Sequence, residues 1–180
     1  MVYVPDVDID RLIQEDAGLG DLTTTALGIN GLPGVMRFTA RHAMVVCAIE
    51  EAARLLAHLG ARVETTARSG QSAQPGDPLL VADGNAATLH AGWKAAQTLV
   101  EWASGIATAV RAIRDAARAV RPDIVVACTR KAVPLTRALS VKAVHAGFPS
   151  SGSGILYEQE KKDFVARVEA LLGETTTAKK

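Results

Sequence analysis

Aromatic residues make up only 4% of this 180-residue chain, and neither sign of charge is in surplus. The first shortage argues against a flat aromatic binding face. The second, 20 basic against 19 acidic residues, gives no general attraction to nucleic acid or to an anionic membrane. Any anion site must therefore be local. Cysteine is scarce too. Cys47 and Cys128 each close an apolar run, and buried free thiols are the expected reading. The four histidines lack zinc spacing, and no metal site is expected from protein side chains alone. No apolar run approaches the ~18–20 residues of a membrane span. The N-terminus lacks the basic and apolar regions of a signal peptide, so a reducing cytoplasm is the expected location. A phosphate loop and a nucleophile elbow are missing as well, which leaves positioning and charge as the chemical means.

What is present is a large apolar fraction, 48%, mostly Ala, Val and Leu, enough for a sizeable core. Its patterning predicts a short helix capped by Asp8 and carrying Ile9, Leu12 and Ile13. Residues 15–24, with two glycines, three acids and adjacent threonines, are expected as a loop. Alternation predicts strands at 35–41 and 62–67. Val35, Phe38 and Ala40 are the apolar members of the first. A more buried strand is expected at 44–48, a helix at 50–59 and a strand at 79–82. Two helices follow, 86–103 and 106–120, separated by Ser104-Gly105 with Ser104 as the cap of the second. Arg111, Arg114, Arg118 and Arg121 recur on one side of that second helix. A solvated face and a phosphate-binding face are both open readings.

Residues 124–128 are continuously apolar, the mark of a strand covered on both sides in a parallel sheet, and 134–146 returns to helical spacing. The expected fold is therefore an α+β N-terminal domain followed by an incomplete α/β, barrel-type region. The expected division is 1–103 for the N-terminal domain and its linking helix and 104–147 for the start of the barrel. Residues 148–180 are then a linker and an amphipathic helix.

In parallel α/β proteins, ligands sit beyond the carboxyl ends of the strands. Thr129, Arg130 and Lys131 follow the apolar run directly. Arg130 can hold a carboxylate or phosphate through two parallel hydrogen bonds, Lys131 adds a point charge and Thr129 a hydroxyl. Lys142 and His145 come one turn apart on the next helix, and the five could gather around a small polyanion. A solvated strand end is the plainer alternative.

Three segments in order carry a family resemblance. They are Glu15 to Thr24, Ser104-Gly105-Ile106-Ala107-Thr108, and Thr129-Arg130-Lys131 with Pro134. Together they resemble the quinolinate phosphoribosyltransferase (nicotinate-nucleotide pyrophosphorylase) family. Ala91 to Gln97 and Leu139 to Val144 resemble its ModD branch, from molybdenum-transport operons. The resemblance covers about residues 5 to 147. It implies transfer of phosphoribosyl from phosphoribosyl pyrophosphate to a pyridine carboxylate or related small anion, with Mg2+. It also implies a homodimer whose site borrows a basic residue from the partner.

Carried onto this chain, the resemblance makes Thr129, Arg130 and Lys131 substrate-binding. It places Lys94 where quinolinate enzymes have the borrowed arginine. After His145 the family's glycine-rich turn and its Asn-His-Arg or Pro-His-Arg triplet have no counterpart. A full barrel takes ~250 residues, whereas 58 follow Pro122. The chain is thus expected to be truncated or divergent after about residue 147. An inactive remnant that dimerises or binds anions is the alternative to a working transferase.

Overall fold

A computed structural model describes residues 3–18, 20–122, 132 and 136–147. The order is α1 (Asp6–Ala17), α2 (Leu22–Leu27), β1 (Pro33–Thr39), β2 (Met44–Val45) and α3 (Ile49–His58). Next come β3 (Arg62–Thr65), β4 (Ser72–Ala73), β5 (Pro78–Asn85), α4 (Ala86–Val120) and α5 (Arg137–Gly147). Three antiparallel strands form a sheet in the order β1-β5-β3, and β2 pairs with β4 in a separate two-stranded ladder. The expected strand at 124–128 and everything after 147 lie outside the described residues.

The α+β character of the first part is as expected, with helices packed on one antiparallel sheet. Its centre is formed by Ile9, Val46, Ile49, Ala52, Leu55, Leu56, Leu80 and Ala96, none of which is exposed to solvent. In β1, period-two pleating turns Met36 and Phe38 toward this core and Val35, Arg37 and Thr39 outward. Val35, one of the apolar members of this strand, is therefore half exposed.

Three local expectations are corrected. The segment after Glu15 is not one loop: α1 runs to Ala17 and α2 starts at Leu22. The missed signal is Asp21, whose carboxylate accepts from the Thr23 and Thr24 amides and so caps α2. The strand at 44–48 pairs only over Met44–Val45. Beyond that point the amides of Cys47 and Ala48 donate to the hydroxyls of Ser104 and Ser69, and Ala48 adopts φ 61°. Val46 still bonds the backbone of Gln71 and Gly70, and from Cys47 onward side chains replace the ladder.

The third correction is the largest. Ser104-Gly105 does not break the helix, and α4 is continuous over 35 residues. A mid-helix glycine costs about 1 kcal/mol against alanine. Here it is offset by the tertiary use of the small residues around it. The Ser104 hydroxyl accepts from the Cys47 amide at 2.9 Å and faces the Cys47 carbonyl at 3.3 Å. Thr108 Oγ1 accepts from the Val45 amide at 2.9 Å and donates to the Ser104 carbonyl at 2.7 Å. Ala103 and Ala107 are fully buried beside Cys47 and Ala143, so β2 and α5 approach α4 closely.

Candidate functional site

Asn85 ends β5 and caps α4 by accepting from the Thr88 amide at 2.8 Å. That cap fixes where the first turns of α4 leave the sheet. Gly92 lets α3 press on α4: a Cβ there would lie 2.7 Å from Leu59 Cδ1 and 2.8 Å from Leu56 Cδ2. With one side of α4 held by α3, another borders the start of β1. Between them lies a groove of about 360 Å³, walled by Gly34, Val35, Met36, Leu89, His90 and Trp93. The Lys94 ammonium lies over the Trp93 ring, 4.7 Å from its centroid, which puts it at the groove's rim.

Beside the groove, His90 Nδ1 is 3.8 Å from Asp21 Oδ2. His90 and Lys94 are one helical turn apart and share a side of α4. Gln97 and Glu101 continue that stripe, joined by a hydrogen bond of 2.9 Å. The stripe is thus basic toward the start of α4 and acidic farther along. Nothing in the spacing of His90 alone singled it out. The signal was its i, i+4 relation to Lys94.

A second polar cluster joins α5 to α3. Lys142, expected beside His145 in an anion cluster, is turned into the protein with a side chain only 4% exposed. Its Nζ donates to Glu51 Oε2 at 2.6 Å and to Glu50 Oε2 at 3.0 Å. Glu51 is as buried as Lys142. Glu50 also accepts from the Ser69 amide at 2.7 Å and from the Ser69 hydroxyl. Burial by itself would lower the Lys142 pKa. The bond to Glu51 and the charges of Glu50 and Glu51 outweigh it, and the net shift is upward. Burial would raise Glu50, but the donors on Ser69 and the ammonium of Lys142 hold its carboxyl below the ordinary value. Cys47, close by, is pushed up to about 11, first of all by burial, so its thiol is not a ready nucleophile.

At the other end of α5, Arg111 donates to the carbonyls of Gly147 (3.1 Å), Ala146 (3.3 Å) and Gly70 (3.0 Å) and to Ser72 Oγ (3.1 Å). It caps the C-terminus of α5, where carbonyls lack partners within the helix. Arg114 is 8% exposed and bonded to Asp115 at 2.9 Å. Neither residue lies on a solvated or phosphate-binding face, so both open readings fail for them.

Of the substrate residues expected from sequence, Lys94 is exposed at the groove and Lys142 is committed to two carboxylates. His145 sits in the last turn of α5. Thr129, Arg130 and Lys131 lie outside the described residues. Among the described residues, no three His, Cys, Asp or Glu side chains converge to hold a metal. The nearest paired carboxylates, Glu50 and Glu51, already share Lys142. The described residues do not fit an Mg2+ site. Among them, too, no helix is long and apolar enough to cross a membrane.

A small antiparallel sheet, a capped helix crossing from it and a helix clasped onto that crossing define a known class. Residues 21–104 match the N-terminal domain of quinolinate phosphoribosyltransferase, and this part of the chain is a domain of that family. A crystal structure of NadC from Streptococcus pyogenes shares the fold with a TM-score of 0.73 at 23% identity. The match covers 79% of this chain and 50% of that one.

More particularly, the chain is 49% identical over 147 residues to a Rhodobacter capsulatus protein that carries the name pyrophosphorylase ModD. The match takes in 82% of this chain and 57% of that one. It is 29% identical over 139 residues to a Methanocaldococcus jannaschii protein that carries the name nicotinate-nucleotide pyrophosphorylase. There it covers 77% of this chain and 48% of the relative. The chain therefore spans about half the length of the curated relatives it matches.

Proposed function

We propose that this chain belongs to a phosphoribosyltransferase of the ModD pyrophosphorylase type. It would transfer phosphoribosyl from phosphoribosyl pyrophosphate, presented with Mg2+, to a pyridine carboxylate or related acceptor. The observation that carries the reading is the 49% identity over 147 residues to the ModD protein. The fold likeness to NadC supports it.

In such a transfer, the acceptor's ring nitrogen forms a bond to the ribose C1 while the bond from that carbon to pyrophosphate breaks. The protein's part is to hold two anions close and in line. Lys94, Thr129, Arg130 and Lys131 are the proposed substrate residues, as fixed positive charge for carboxylate and phosphate oxygens. His145 belongs with them in the same reading. Lys142 acts through α5, since its ammonium is shared between Glu50 and Glu51. The reading includes a homodimer. Leu22, Leu27 and Leu32 are each more than half exposed, apolar surface that a second copy would cover.

The direct test is pyrophosphate release from phosphoribosyl pyrophosphate and Mg2+ across a panel of pyridine and related carboxylates. The full chain is used, alone and with the complete relative's barrel added. Acceptor-dependent release that vanishes in Arg130→Ala and Lys131→Ala is expected. No release with any acceptor, together with no heat on titrating phosphoribosyl pyrophosphate, would sink the reading. Light scattering on the same sample checks the dimer.

A further inference from the structure

A surface helix ordinarily turns its charged residues to water and its apolar ones to the core. The second half of α4 reverses this. Arg111 is turned onto the end of α5, and Arg114 is buried. The outward stripe instead carries Trp102, Gly105, Ala109, Ile113, Ala116 and Val120, at steps of three or four and all exposed. Ile113 is 59% exposed and Val120 88%. A Cβ added at Gly105 would meet no described atom within 4 Å. Small residues set between three large ones make a shallow trough, the shape that receives a ridge of another helix.

We propose that residues 157–172 form an amphipathic helix that docks on this outward face of α4. The chain leaves α5 at Gly147, whose carbonyl accepts from Arg111 at 3.1 Å and whose backbone is pressed on Val110 and the Ala107 carbonyl. Residues 148–180 therefore start beside the middle of this half of α4. Pro149 to Gly154 has the composition of a linker, and Phe164, Val165, Val168, Leu171 and Leu172 recur at helical spacing. Residues 148–156 can reach up to ~30 Å, and a helix is only ~10–12 Å across, so the outward face is within range. As a helix, 157–172 is ~24 Å long, against ~27 Å of trough from Trp102 to Val120. Charge agrees as well. Lys161 falls on the apolar side of that segment, and the exposed charges on this half of α4 are Glu101 and Asp115, both acids. Docked, the segment shields an apolar face that would otherwise invite association. The family resemblance stops at about residue 147, and the docking does not depend on the transferase reading.

Trp102 is the reporter, because the chain has only two tryptophans. In the full chain carrying Trp93→Phe, acrylamide quenching of indole emission is measured with and without the pair Val168→Asp and Leu172→Asp. The paired acids should raise the quenching constant and shift emission to the red. Hydrogen exchange on the full chain gives the second readout. Amides of 164–172 should exchange at least about tenfold slower than in an unstructured chain, at every protein concentration. Ile113→Asp, at an exposed side chain of α4, should abolish that protection as fully as the paired acids do, while α3 keeps its own. Amides of 164–172 that exchange freely in the intact chain overturn the inference, and so does protection that Ile113→Asp leaves in place. Quenching that the paired acids do not change also overturns it. If the shielding of Trp102 instead weakens on dilution, a second copy covers the face and the inference fails.

Discussion

Replacing Lys142 with Met removes the ammonium but keeps an apolar stem of similar reach on α5. In the native fold that ammonium neutralises Glu51, which is 4% exposed, and bonds Glu50 as well. Breaking a buried pair on one side leaves an uncompensated charge and costs about 3–5 kcal/mol. For a domain of this size each kcal/mol is worth about 2–4 °C, so a fall in Tm of about 6–20 °C is expected. Urea denaturation at pH 7 should show the same loss as a lower midpoint with little change in slope. Adding Glu51→Leu should recover most of the loss, since an apolar pair can replace a buried ion pair at little cost. A single variant that loses less than about 1 kcal/mol, well under the buried-pair range, would refute the electrostatic account. So would a double variant no better than the single one.

Gly147→Ala places a Cβ 2.5 Å from the Ala107 carbonyl oxygen and 2.8 Å from Val110 Cβ. Backbone cannot yield there as a side-chain tip can, so α5 must shift, and a loss of about 1–3 kcal/mol in thermal unfolding is expected. Arg111→Ala frees the carbonyls of Gly147, Ala146 and Gly70 together, and hydrogen exchange should show faster amides along α5 before those of α3. Asn85→Ala removes the α4 cap and should cost about 1 kcal/mol. The pH profile has two signed limbs. Glu50 lies below its ordinary 4.5 in the fold, so its contribution is present above that pH and lost as pH falls through the folded value. Lys142 lies above its ordinary 10.5, so its contribution is full below that pH and lost as pH rises through the folded value. Glu50→Gln should flatten the acid limb of a stability curve, and an unchanged limb would show that the carboxylate is not the group titrating.

The amino-acid order by itself determined the elements whose cause is local. Helix α3 follows from the spacing of Ile49, Ala52, Leu55 and Leu56, and β5 from a run of apolar residues after a Pro-Gly-Asp-Pro turn. Family membership was legible too, because short motifs in order survive where overall identity to a solved relative has fallen to 23%. Tertiary structure decided what depends on a distant partner. Ser104-Gly105 looks like a break until Cys47, 57 positions away, supplies the bonds that hold Ser104 within one long helix. Lys142 looks like an exposed cation until Glu50 and Glu51, more than 90 positions away, enclose it. Lys94 was placed by motif, but its position over Trp93, a wall of the groove, depended on which side of α4 the leucines of α3 occupy. Local propensity and periodicity act within a few residues. Which of two possible roles a charged or small side chain takes is set by long-range packing, which alone determines whether its partner is water or protein.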